Sequence, residues 1–236
     1  MAKSNSLKEN QLVYVLHTYP FKETSLIVEI FSKAFGRISL IAKGARRPKS
    51  ALRGMLQSFQ ALEATWSGTG ELKTLHGIDW CKKYLPMEGN SLVCGFYLNE
   101  LLLRLLPKED KYESLFNSYH NAMENLSSRE NIGVTLRKFE LKLLLELGYE
   151  VLLKQDANAN EIKADQIYFY EAEHGALDKH RTESCIKVKG QTLIDMANDN
   201  FDSSLTAVQS KNLMRFLINH YLGEKPLNSK QLFLNI

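Results

Sequence analysis

Residues 37–53 read Arg37-Ile-Ser-Leu-Ile-Ala-Lys-Gly-Ala-Arg-Arg-Pro-Lys-Ser-Ala-Leu-Arg53. Six of them are basic (Arg37, Lys43, Arg46, Arg47, Lys49 and Arg53) and none is acidic. The first half alternates as a strand does. Ile38, Leu40 and Ala42 share one face, and Arg37 and Lys43 fall on the other. The second half is a loop in which Gly44 supplies backbone freedom and Pro48 limits disorder. Cations on such a loop contact phosphates without reading bases, so any nucleic-acid binding is expected to be sequence-tolerant and salt-sensitive.

The flanking chain fits a small barrel. Gln11–Tyr19, Thr24–Phe31, Phe59–Ser67 and Glu71–Lys83 are rich in β-branched and aromatic residues, and turn formers separate them: Pro20, Gly36, Gly44 and Gly68-Thr-Gly70. Five short strands in the first 85 residues suit a closed barrel, because closure removes exposed edges. An oligonucleotide-binding (OB) barrel is the obvious candidate, and strand pattern alone fits an SH3-like barrel as well. Tyr14, Tyr19, Phe21, Phe35, Trp66 and Trp80 are available either to fill the barrel or to stack on bases.

After Pro86 the period changes to that of helices. Leu92, Phe96, Leu103 and Leu106 mark a helix ended by Pro107. Tyr112 to Leu126 and Ile132 to Leu147 follow with apolar residues at helical spacing, the latter stopped by Gly148. A last helix is expected to bury Leu205, Val208, Phe216, Leu217 and His220, with Ser203 or Ser204 as cap and Gly223 beyond its end. Between Glu150 and Gly190 the pattern loosens into an irregular insert, with short strands at Ile167–Tyr170 and Cys185–Val188. The expected fold is α+β: a five-stranded OB-type barrel over 1–85, then a mostly helical domain over 86–236 with an irregular insert near 150–200.

Composition narrows the function classes. The net charge is only +3, but residues 1–85 hold thirteen Lys/Arg against six Asp/Glu, and the remainder 17 against 21. A polyanion surface confined to the N-terminal part is the natural reading. An odd number of cysteines (Cys81, Cys94, Cys185), none in a Cys-x-x-Cys pair, fits a reducing cytoplasm and no disulfide framework. No apolar run approaches the roughly 18–20 residues of a membrane span, and the start of the chain has no apolar signal core. There is no Walker-type Gly-Lys-Ser/Thr and no carboxylate cluster for metal-assisted phosphate chemistry. His17, His76 and His120 lie apart on apolar-rich segments and read as structural. Neither an enzyme nor a small-molecule substrate is expected.

Several stretches, in order, resemble one family. Tyr14-Val-Leu-His-Thr-Tyr-Pro-Phe-Lys-Glu-Thr-Ser-Leu-Ile-Val-Glu-Ile-Phe31 is similar to the opening strands of the RecO family, and Gly36-Arg-Ile-Ser-Leu-Ile-Ala-Lys-Gly-Ala-Arg-Arg47 to its basic signature. Gln57-Ser-Phe59, Trp66-Ser-Gly-Thr-Gly-Glu-Leu-Lys-Thr-Leu75, Tyr97-Leu-Asn-Glu-Leu-Leu-Leu-Arg-Leu-Leu106 and Leu136-Arg-Lys-Phe-Glu-Leu141 follow. Tyr221-Leu-Gly-Glu-Lys-Pro-Leu-Asn-Ser-Lys-Gln-Leu-Phe233 resembles the closing motif. The likeness spans nearly the whole chain and is weakest between Glu150 and Asn200.

The resemblance implies a bacterial DNA-repair and recombination mediator, cytoplasmic and associated with the nucleoid. Such a protein binds single- and double-stranded DNA and anneals complementary strands. With RecR, it helps load RecA onto DNA coated by single-strand-binding protein. DNA contacts are expected at Arg37, Lys43, Arg46, Arg47, Lys49, Arg53 and Lys73. The helical domain is expected to take the C-terminal tail of single-strand-binding protein, with Arg137 on its terminal carboxylate and Lys138 and Lys142 beside it. Many family members carry a four-cysteine zinc site. Here the corresponding region offers only Cys185 with His174 and His180, so no zinc or other cofactor is expected. The competing reading is an OB-fold RNA-binding module acting in translation or ribosome assembly.

Overall fold

The computed structural model describes residues 7–81, 86–179 and 184–229. Five strands come first: β1 (Lys8–Phe21), β2 (Ser25–Ser32), β3 (Gly36–Ala42), β4 (Ala61–Ser67) and β5 (Leu72–Trp80), with a short helix α1 (Leu52–Met55) between β3 and β4. They close into a barrel in the order β1-β2-β3-β5-β4, with β3 and β5 parallel and every other pair antiparallel. This five-stranded barrel is of the OB type, which settles the choice that strand pattern left open.

The barrel interior follows from alternation. Val13 and Val15 of β1, Val28 and Ile30 of β2, Ile38, Leu40 and Ala42 of β3, and Leu62, Ala64 and Trp66 of β4 all point inward and are buried. Each of the buried Val, Leu and Ile side chains stabilises the fold by about 1.5–3 kcal/mol. A bulge between Val15 and His17 shifts the register, so that beyond it His17, Tyr19 and Phe21 pair with Glu29, Ile27 and Ser25 on the outer face.

Helices α2 (Gly89–Leu105) and α3 (Glu113–Ser128) belong to the same compact unit as the barrel, which comprises residues 1–130 and 227–236. Pattern changes from strand to helix near residue 85, but compactness divides the chain after Glu130. The reason is visible in the outer face of β1 and β2. Tyr14 and Phe31 are apolar there and need cover, which Phe116 and Tyr119 of α3 provide at ring-centroid distances of 5.0–6.1 Å. Their polar atoms are satisfied too. Tyr14 Oη lies 2.5 Å from His120 Nδ1, Tyr119 Oη donates to Asn99 Oδ1, and Asn99 Nδ2 donates to Leu16 O at 2.9 Å. Burial raises both phenols well above the ordinary tyrosine range. The chain returns to this unit at its end, where the Glu100 carboxylate accepts the amides of Asn228 (2.7 Å) and Ser229 (2.8 Å).

The second unit, residues 131–226, holds α4 (Ile132–Glu146), β6 (Ile167–Glu171), β7 (Gly175–Leu177), β8 (Ile186–Lys189), α5 (Gly190–Ala197) and α6 (Ser204–Leu222). Three corrections to the pattern reading arise. The region expected to be an irregular insert is an ordered three-stranded sheet, β7-β6-β8, followed by a helix. Its strands share a core with α4–α6 through Tyr168, Tyr170, Val188, Leu193, Met214 and Leu217.

The face of α6 is also rotated from expectation. Leu205 and Val208 are exposed, at 42% and 58%, while Thr206 and Ser210 are buried. Thr206 goes inside because its hydroxyl donates to Asp195 Oδ2 at 2.5 Å, a bond that hydropathy patterning does not see. Phe96 on α2 is likewise 41% exposed rather than core, its ring edge-on to Phe59 at 5.0 Å.

Candidate nucleic-acid interface

The basic connection between β3 and β4 leaves the barrel at Lys43. It is held by apolar anchors: Ala45 is fully buried in the barrel core, and Leu52, Met55 and Leu56 pack against the same core. Backbone bonds fold the loop on itself, Arg47 N to Gly44 O (3.1 Å) and Ser50 N to Arg47 O (3.0 Å), with Gly44 at φ +72°. The loop is also tied to the β1–β2 turn. Arg46 donates its backbone amide to Thr24 O (2.8 Å) and its guanidinium to Lys22 O (3.2 Å).

With the backbone fixed in this way, Lys43, Arg46, Arg47, Lys49 and Arg53 are all exposed, and Lys22 joins them from the turn. Among the described residues, none of the six has a carboxylate within salt-bridge distance. Glu23 is the acidic residue on the same turn. Sequence reasoning missed Lys22, because its place beside the loop depends on a tertiary contact. This end of the barrel is a concentrated cation surface on a rigid support, suited to a polyphosphate chain.

The two remaining cations expected at this site lie elsewhere. Arg37 and Lys73 sit toward the opposite end, against the α2–α3 connection. Arg37 donates Nε to Leu106 O at 2.9 Å and lies 3.5 Å from Glu29. Glu29 also accepts from Ser39 Oγ at 2.5 Å and pairs with Lys108 at 3.4 Å. Lys73 pairs with Glu109 and donates to Gly70 O. The connection lies flat on the sheet, since Arg37 bridges Lys108 in parallel and Glu109 N donates to Arg37 O at 2.9 Å. Gly36, at φ +66°, permits this approach: a Cβ there would stand 1.8 Å from Asp110 O. The side chains of Arg37 and Lys73 are only 16% and 12% exposed, so both are engaged inside the fold.

The candidate rings divide as well. Tyr14 and Trp66 are buried, and Phe35 packs edge-on to Trp66 at 5.6 Å. Tyr19 and Trp80 are exposed, and Phe21 is half-buried with Lys22 Nζ 5.5 Å above its ring.

In the second unit Arg137 is buried rather than solvated. Its Nη2 bonds Glu140 at 2.5 Å, and its Nε has no hydrogen-bond partner among the described residues. Lys138 is exposed and pairs with Asp199 at 2.6 Å, just ahead of α6, and Lys142 pairs with Glu146 at 2.7 Å. Beside Cys185 and His174, no third donor gathers among the described residues. Cys185 is half-buried, His174 faces Glu171 at 3.4 Å, and His180 lies outside the described residues. Among the described residues no three His, Cys, Asp or Glu side chains gather as a metal site, and no helix is long and apolar enough to cross a membrane.

Comparison with known proteins gives matches over most of the chain. Residues 8–84 match the family model "Recombination protein O N terminal", and residues 88–231 match "Recombination protein O C terminal". The DNA repair protein RecO of Nitrosospira multiformis is 47% identical over 229 residues, covering 95% of this chain and 94% of that protein. Its namesake in Aromatoleum aromaticum is 47% identical over 225 residues, covering 94% of each. That of Dechloromonas aromatica is 45% identical over 229 residues, covering 95% of each. An OB-type barrel with a cationic end, continued by matching sequence through both units, places this chain in the RecO family of DNA repair proteins.

Proposed function

We propose that this chain is a non-enzymatic recombination mediator: it binds single-stranded DNA at the basic end of its barrel, anneals complementary strands and, with RecR, helps load RecA onto DNA coated by single-strand-binding protein. The observation that carries the reading is the set of six exposed cations on the β1–β2 turn and the β3–β4 connection, without carboxylate partners among the described residues. Two strands brought to such a surface have their phosphates neutralised, which lowers their mutual repulsion and lets bases pair. A double strand contacts it through the same phosphates.

Recruitment falls to the second unit. The acidic, apolar tail of single-strand-binding protein docks there, its carboxylate on Arg137, flanked by Lys138 and Lys142. Glu140 takes one guanidinium nitrogen, the buried Nε has no partner among the described residues, and the exposed Leu205 and Val208 offer apolar contact on α6. A chain held by the tail presents its barrel to the coated strand at high effective concentration.

The test is the annealing rate of complementary oligonucleotides coated with single-strand-binding protein. Acceleration that disappears in Arg46→Glu/Arg47→Glu, with tail-peptide binding and melting unchanged, supports the mediator reading. An uncatalysed rate with the wild-type chain, together with tighter binding of RNA than of DNA, supports instead an OB module acting on RNA.

A further inference from the structure

The outer face of β1–β2–β3 is divided in two. Toward the α2–α3 connection it is filled by the chain itself: Leu106–Asp110 covers Arg37, Ser39 and Glu29. Toward the basic turn it is open. Beyond the bulge, His17, Tyr19 and Phe21 occupy alternate positions of β1 and therefore share the outer face. His17 and Tyr19 are exposed, Phe21 is half-buried, and the His17 and Tyr19 rings meet edge-to-face at 4.5 Å. At the end of this row stand Lys22 and, tied to it, Arg46.

Resting on the reading of the function above, we propose that His17, Tyr19 and Phe21 form a base-stacking ladder, and that the phosphates of the strand they hold lie on Lys22, Lys43, Arg46 and Arg47. Ladder and cations are complementary. Backbone positions two apart on a strand are about 6.8 Å apart, but the His17 and Tyr19 rings close to 4.5 Å and edge-to-face, so they offer a base one joint aromatic surface, with Phe21 next in the row. Stacking accepts any base, because every base has a π-face, and the cations read only phosphate. The surface therefore grips a single strand without regard to sequence. The ladder is confined to the open half of the face, because the other half is closed by Leu106–Asp110 and the packing of Gly36 beneath Asp110.

Anisotropy of a fluorescent oligothymidylate, titrated with the full chain over a series of salt concentrations, tests the ladder. Tyr19→Ala is expected to bind about tenfold more weakly with an unchanged salt slope, since a ring and no charge is lost. Tyr19→Phe stays within about twofold of wild type, the π-face being kept. The Tyr19 side chain is 45% exposed, so melting of both variants remains that of wild type. Wild-type affinity in Tyr19→Ala and His17→Ala, with loss only in Arg46→Ala/Arg47→Ala, overturns the ladder and leaves the mediator reading standing. A reduced salt slope in Tyr19→Ala also overturns it, because the residue then acts through the charged loop. No binding by the wild-type chain overturns the functional reading itself, and the ladder with it.

Discussion

At one end of the barrel, Lys43, Arg46, Arg47, Lys49 and Arg53 reach outward from a loop whose backbone is anchored by Ala45, Leu52, Met55 and Leu56. At the other, Arg37, Lys73 and Lys108 are turned onto Glu29, Glu109 and the carbonyl of Leu106. The residue types are alike and their roles are opposite. A cation with a carboxylate or carbonyl held in reach stabilises the fold through that contact. A cation on a loop whose apolar positions face the core has only solvent or a ligand to meet. What separates the two sets is the neighbour that tertiary structure supplies, so counting lysines and arginines along the chain overstates the number left unpaired among the described residues.

The comparison breaks most visibly at Gly36. Gly36→Ala forces a Cβ against Asp110 O at a left-handed backbone position, and loss of about 3 kcal/mol or more is expected in urea unfolding. Oligonucleotide affinity of the remaining folded protein should not change. Next is the carboxylate that holds the paired end together. Glu29→Gln removes the charge facing Arg37 and Lys108 and should lower stability by about 2 kcal/mol, again with DNA affinity intact. Arg137→Ala sharpens the rule from the second unit. With the tail carboxylate on the Arg137 guanidinium, calorimetric titration of Arg137→Ala should show roughly tenfold weaker tail-peptide binding and unchanged oligonucleotide binding. The smallest effect belongs to Lys73→Ala. Its pairing with a half-exposed Glu109 contributes about 0.5–1 kcal/mol, and oligonucleotide affinity should stay within about twofold of wild type.

Much of the first unit was legible in the sequence. Strand positions followed from alternation and turn residues, and the loop with six cations stood out from Arg37 to Arg53. Even so, two of the seven residues expected to touch DNA, Arg37 and Lys73, are paired, because Leu106–Asp110 arrives from some seventy residues away in sequence for Arg37. Lys22 was invisible for the same reason. In the second unit, β6 and β8 fall where short strands were expected, while β7 and α5 were missed, β7 being three residues long and α5 eight. The buried face of α6 was misread because Thr206 and Ser210 hide hydroxyls inside hydrogen bonds.

The account stands on the assignment of DNA to one end of the barrel, and the salt dependence of single-strand affinity measures it directly. For single strands each phosphate contact contributes about 0.7 to the slope of log affinity against log salt. Arg46→Ala/Arg47→Ala should therefore flatten the slope by about 1.4 relative to wild type, while Lys73→Ala/Lys108→Ala leaves it unchanged. A slope that flattens in the second protein and not in the first would contradict the account and put the strand at the paired end.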